Sequence, residues 1–143
     1  MLAMKKRKFG KGKWNGTGGK LDDGETVEQA AVRETEEEIM VRVKSLEKVA
    51  ILEFRFLDVP QEKDWDQDVH VYVSGSWEGE PKETEEMKPR WFGINDIPYD
   101  SMWEDDKHWL PKVLAGEKVR GEFEFKGKGD LARADVKTVN SLD

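Results

Sequence analysis

A chain of 143 residues is the size of one domain, and a formal charge of −7 argues against nucleic acid polymer as a nonspecific partner. It has no cysteine, which excludes a disulfide framework and any thiolate metal site. No apolar run approaches the roughly 20 residues of a membrane span and no signal-type apolar core opens the chain, so a cytoplasmic protein with no membrane partner is expected.

In chain order, the basic run KKRKFGKGK (5–13) comes first and leads into the glycine-rich turn NGTGGK (15–20). Such a run is a solvated face or, beside a glycine turn, a place for an anion to approach. A helix is predicted over 26–39. Thr26 and Gln29 have capping-box spacing, and no Gly or Pro lies between Gln29 and Ile39. At about 100° per residue, Val32, Thr35 and Ile39 share one side, suited to packing on a sheet. Glu34, Glu37 and Glu38 share another, and Glu36 points away from both groups.

Strands are predicted next. VAILEFRFLDV (49–59) is apolar and aromatic, with Phe54 and Phe56 on one face; DVHVYVSGSW (68–77) alternates valines with polar residues. PQEKDWDQD (60–68) reads as a polar loop between them. KPRWFGI (88–94) forms a short strand, NDIPYDS (95–101) a turn, and HWLPKVLAGE (108–117) a short helix stopped near Gly116. The segment 119–139 holds two closing strands separated by Gly127 and Gly129. With no repeat and no linker, the result is a single mixed α+β domain over 1–143.

The acidic face is either a solvated surface or a cation site. Its acids lie in the C-terminal half of the helix, where the macrodipole disfavours them, and Glu34 and Glu38 form an i,i+4 like-charge pair. Something cationic should offset this, and the small Ala30 and Ala31 leave room for it. Oxygen donors without Cys or clustered His suit a hard cation, Mg²⁺ or alternatively Mn²⁺.

The order Gly19, five residues, Glu25, seven residues, Arg33-Glu34, two residues, Glu37-Glu38 resembles the signature of the Nudix hydrolases. The resemblance implies an α/β/α sandwich around a mixed sheet and hydrolysis of a nucleoside diphosphate linked to another group. It makes Glu34, Glu37 and Glu38 metal ligands, with the Gly19 carbonyl as a further ligand. It also makes Glu38 the residue that polarises or deprotonates water. Glu25 and Arg33 become a structural salt bridge holding the loop on the helix.

From Met4 to about Leu131 the chain is also similar to the branch of that family acting on oxidised purine nucleoside triphosphates. The segments carrying this similarity are 4–20, DVHVY, EEMKPRWF, DIPYDSMWEDD and HWLP. That resemblance implies release of a nucleoside monophosphate and pyrophosphate, in sanitation of the nucleotide pool. It places Phe9, Asn15, Phe54, Trp103, Asp105 and Asp106 at the base, with Met87 and Trp109 lining its pocket. Glu86 is expected at the metal or its waters and Lys5 at phosphate or base edges; Trp14 and Trp91 are left to the core. Chemically, Trp103 offers a stacking face and Asn15 a donor and an acceptor. The two acids accept from purine N–H groups, and one can donate if burial raises its pKa.

Three departures bear on these expectations. Met40 stands where the family signature has glycine, so the helix ends differently there or carries strain of about 1 kcal/mol. The strand that precedes the basic run in the resembling enzymes has no counterpart in this sequence, which implies either an upstream start that the sequence omits or an unpaired edge, in a monomer or completed by a partner strand in a homodimer. The 60–68 loop is longer than its counterpart and would reshape a pocket wall. The alternatives are a Nudix hydrolase of another substrate, such as ADP-ribose or a dinucleoside polyphosphate, and a catalytically weak nucleotide-binding module.

Overall fold

The computed structural model describes every residue except Gln61, Glu62, Asp64 and Lys128. The chain condenses into two compact units, one of Met1–Glu47 and Ser74–Met102, the other of Lys48–Val73 and Trp103–Asp143.

In the first unit, strand β1 (Leu2–Lys5) runs between β2 (Trp14–Asn15) and β7 (Met87–Arg90), antiparallel to both. A two-residue ribbon pairs β3 (Arg42–Val43) with β6 (Trp77–Glu78). Helix α1 (Val27–Ile39) packs against β3 and β7, over a core of Ala3, Ile39, Val41 and Met87. The basic run therefore begins inside a sheet. β1 is not legible in the sequence because four residues, one of them fully buried Ala3, are too few for alternation to register. Since β1 is paired on both sides, the edges of this sheet are β2 and β7, and β7 carries Pro89, which has no N–H to offer a further strand.

Helix α1 opens with the predicted capping box. The Gln29 N–H donates to Thr26 Oγ1 at 3.1 Å, and the Thr26 N–H donates to Gln29 Oε1 at 2.9 Å. Its buried residues are Ala30, Glu38 and Ile39, whereas Val32 and Thr35 are only half-buried. Ala30 does not leave space for a cation; it is buried, and its small side chain serves close packing instead. The helix does end at Met40, in the left-handed region at φ 62 and ψ 31, with the Met40 N–H donating to Glu36 O at 3.0 Å. Met40 is 55% exposed, so little side-chain burial offsets the strain. Met40→Gly is expected to raise stability by about 1 kcal/mol, read as a higher urea midpoint at unchanged slope. A lower midpoint would show that no strain is stored there.

Two tryptophans assigned to the core stand differently. Trp14 is half-buried and meets Phe92 edge-on at 5.0 Å. Trp91 is 57% exposed, its ring 5.5 Å from that of Trp77 on the surface.

The second unit is built on a four-stranded sheet in the order β5, β4, β8, β9 (Gln67–Val73, Glu47–Phe56, Lys118–Lys126, Asp130–Val139). β4 runs parallel to β8, and β8 pairs antiparallel with β9 through an irregularity at Glu124/Phe125. Helix α2 (Asp106–Leu114) packs on β8 and β9, closing a core of Leu52, Trp109, Val113, Val119, Phe123 and Phe125. α2 starts two residues earlier than predicted and ends before Gly116, which has φ +93. The 95–101 turn contains two short 3-10 turns, Ile94–Asp96 with Tyr99–Ser101. The longer 60–68 loop includes three residues outside the described ones. The fold class is the mixed α+β one expected.

Candidate active site

The glycine turn and α1 are locked together by side chains the helix presents. Arg33 is the hub. Its Nε and Nη2 donate to the two oxygens of Glu25 at 2.7 and 2.9 Å, and Nη2 also donates to the Lys20 carbonyl at 3.1 Å. This two-pronged clasp uses the planar geometry of guanidinium. It holds the Glu25 carboxyl down at about 2, with help from the Asp22 N–H at 2.9 Å. The third nitrogen, Nη1, donates to Glu34 Oε1 at 3.0 Å and lies 3.3 Å from Glu37 Oε2. The cation needed to offset the like charges on α1 is thus, in part, Arg33.

Glu38 is the exception among the acids, being only 9% exposed. The Gly18 N–H donates to its Oε1 at 2.7 Å, and the Thr84 hydroxyl donates to its backbone carbonyl at 2.7 Å. Burial pushes the Glu38 carboxyl up to about 7, and the charges of Glu34 and Glu86 add to the rise. The Gly18 N–H and the charge of Lys5 oppose it. A carboxyl poised near neutral pH is what general-base work requires. A bond between the hydroxyls of Thr17 and Thr35, 2.6 Å apart, pins the same turn one residue before Gly18.

Gly19 lies directly over Glu34. A Cβ added there would stand 2.5 Å from Glu34 Cδ and within 2.8 Å of both carboxylate oxygens, so a side chain at this position would displace the Glu34 carboxylate from where it lies. Among the described residues no three carboxylate or His side chains already converge as an ion-holding group, because Glu34 and Glu37 turn towards Arg33. The donor set nonetheless suits a divalent hard cation: every candidate ligand is an oxygen, and a carboxylate is cradled against bare backbone. Glu86 is half-buried and bonded to Arg7, which holds its carboxyl below the usual range. Lys5 is half-buried on β1, with its charge acting on both Glu38 and Glu86.

With the folded-state carboxyl of Glu38 at about 7 against 4.5 for the free group, the folded protein binds more protons between those values. Its contribution to stability is therefore present at low pH and lost as pH rises through about 7. In EDTA, urea midpoints should fall between pH 4.5 and 7 by an amount that Glu38→Gln removes. An identical pH profile in the variant would show that Glu38 titrates normally.

Three further residues expected at the site belong to the first unit. Asn15 is exposed at the end of β2, its Oδ1 accepting from the Gly16 N–H at 2.8 Å. Phe9 is exposed in the basic loop, and Met87 is buried in the core beside Ala3 and Ile39.

In the second unit, Asp105 and Asp106 are each 4% exposed at the start of α2. Asp105 occupies the cap position but makes no side-chain cap bond; instead its Oδ2 accepts from the Trp109 indole N–H at 2.9 Å. Burial raises the Asp105 carboxyl above the usual range, and the indole bond opposes that rise. Trp109 sits in the core, holding Asp105 from within. Phe54 is half-buried, stacked on Phe123 at 5.4 Å, and Trp103 is half-buried and edge-on to Phe125 at 6.4 Å.

Sequence reading missed Gly18 and Thr84 as partners of Glu38, Thr17 as the partner of Thr35 and the Lys20 carbonyl as an acceptor from Arg33. The four-residue spacing of Asp105 and Trp109 would have revealed their bond once α2 was begun at Asp106. Thr84 lies 46 residues from its partner, and no local pattern signals it.

A turn clasped to an acidic helix, with one buried carboxyl at its glycines, is the arrangement of a Nudix hydrolase. The chain belongs to that family, whose NUDIX domain profile matches residues 1–113. It is 42% identical over 142 residues to a Danio rerio protein named oxidized purine nucleoside triphosphate hydrolase, covering 99% of this chain and 88% of that one. A Mus musculus protein of the same name is 40% identical over the same coverage. Among solved structures, a MutT protein from Bacillus halodurans superposes with a TM-score of 0.77 at 21% identity, covering 95% of this chain and 88% of that one. No helix among the described residues is long and apolar enough to cross a membrane.

Proposed function

We propose that this chain hydrolyses oxidised purine nucleoside triphosphates to the monophosphate and pyrophosphate, acting over 1–143 as one Nudix domain in the cytoplasm. The observation that carries the reading is Glu38: a buried carboxyl bonded to the glycine turn and poised at about 7. The names of the relatives at 42% and 40% identity support the substrate class.

The residues that would hold a divalent cation are Glu34, Glu37, Glu38 and Glu86 with the Gly19 carbonyl. Mg²⁺ is the proposed ion and Mn²⁺ the alternative; when bound it neutralises phosphate charge and acidifies water. Glu38 accepts the proton of the attacking water, because its carboxyl is held near neutrality and oriented by the Gly18 N–H. Arg33 acts through others: by gripping Glu25 and the Lys20 carbonyl it holds the glycine turn to the helix. Lys5 draws the triphosphate towards an otherwise acidic surface. In the second unit, Trp103 stacks on the purine while Asp105 and Asp106 bond to its edge. Burial raises the Asp105 carboxyl above the usual range; an acid that holds its proton donates to a ring acceptor, and an ionised one accepts from a ring N–H.

The test is a panel with Mg²⁺: 8-oxo-dGTP, 2-oxo-dATP, dGTP, ADP-ribose and a dinucleoside polyphosphate, with pyrophosphate release measured. Oxidised purine triphosphates are expected to give the highest kcat/KM. A preference for ADP-ribose or the dinucleoside would move the chain to another substrate within the family. Sedimentation at high concentration separates the monomer from a strand-completed homodimer.

A further inference from the structure

The turn between β8 and β9 carries two glycines with different surroundings. Gly127, at φ +61, has room: among the described residues a Cβ there would meet only Asp130 Oδ2 within 4 Å, at 3.8 Å. Gly129, at φ +133, lies against Trp103. A Cβ there would stand 2.9 Å from ring atom Cζ3 and 3.5 Å from Cε3.

The turn is tied on both sides of that contact. The Gly127 N–H donates to both carboxylate oxygens of Asp58 at 2.9 Å, and the Leu131 N–H donates to Glu104 Oε2 at 3.0 Å. Glu104 is the residue after Trp103, so the turn is fastened beside the ring it touches. Phe125, on the strand leading into the turn, meets the same ring edge-on. The atom the Cβ would meet is at the far edge of a side chain, whereas the backbone of the turn is held at two points.

We infer that Gly129 is a positioning residue that sets the plane of Trp103 and thereby the stacking of the purine. The inference rests on the reading of Trp103 as the stacking wall. A methyl group at Gly129 presses on the edge of the ring as well as straining the turn at φ +133, and aromatic attraction depends on ring offset and tilt. The bare backbone at Gly129 is a rest for the indole, and Gly127 is only a turn residue.

The test compares five variants, the Trp103→Phe background included, with 8-oxo-dGTP and Mg²⁺, folding being checked by circular dichroism. Trp103→Ala should raise KM by about tenfold or more. Gly129→Ala should raise KM about threefold to tenfold with kcat within about twofold of wild type. Gly127→Ala, which strains the same turn without touching the ring, should leave KM unchanged. In a Trp103→Phe background, whose smaller ring clears the added methyl, Gly129→Ala should lose most of its effect on KM. If Trp103→Ala leaves KM unchanged, the stacking reading fails and the inference with it. If Trp103→Ala raises KM but Gly129→Ala does no more than Gly127→Ala, the inference alone is overturned. Should Gly129→Ala not fold, Glu104→Ala, which releases the same turn, decides: a raised KM supports the role of the turn and an unchanged one refutes it.

Discussion

Glu38→Gln is expected to leave a folded protein whose Mg²⁺-dependent kcat has fallen by about 10²–10⁴-fold, the range that general-base catalysis supplies. Glutamine keeps the volume of the side chain and an oxygen that can still accept from the Gly18 N–H. It removes only the ionisable carboxyl. Because burial already disfavours the Glu38 charge, the substitution should not lower stability at neutral pH and should raise it in EDTA. The two measurements must separate: turnover lost, urea midpoint kept or raised. Unchanged turnover would remove Glu38 from the chemistry. A collapse of stability would mean that the buried carboxylate is a structural anchor.

Asp105→Ala should lower discrimination between 8-oxo-dGTP and dGTP by about 10–100-fold, the cost of leaving a buried base edge without its hydrogen-bond partner. Alanine also strands the Trp109 indole N–H, which loses its 2.9 Å partner inside the core. The variant should therefore be less stable by about 1–3 kcal/mol. Asp105→Asn is the cleaner companion, since it keeps an acceptor for the indole while fixing the group as neutral. If burial holds Asp105 largely protonated in the wild type, the Asn variant should retain more selectivity than the Ala variant. Equal rates on 8-oxo-dGTP, 2-oxo-dATP and dGTP in wild type and both variants would remove the acid pair from base selection. The Glu38 chemistry would be unaffected.

Local features were legible because they depend on residues a few positions apart. The capping box of α1, the helix itself and the alternating valines of β5 are patterns within one or two turns or pleats. So was the spacing of Gly19, Glu25, Arg33, Glu34, Glu37 and Glu38, because one turn and one helix carry it whole. The anomaly of Met40 was visible too, and its left-handed backbone answers which of two outcomes holds.

What sequence alone determined was which acids share a helix face and that they are oxygen donors, since side-chain type and helical phase are local properties. It did not rank them. Glu37 and Glu38 are neighbours in the chain, yet one is exposed beside Arg33 and the other is buried under the glycine turn with its carboxyl near 7. Likewise nothing near Asp105 in sequence announces that α2 aims an indole at it from the core, or that Gly129 meets Trp103. Desolvation and close contact depend on what distant segments bring against a group. For that reason the burial and contacts of these residues emerge only from the folded chain.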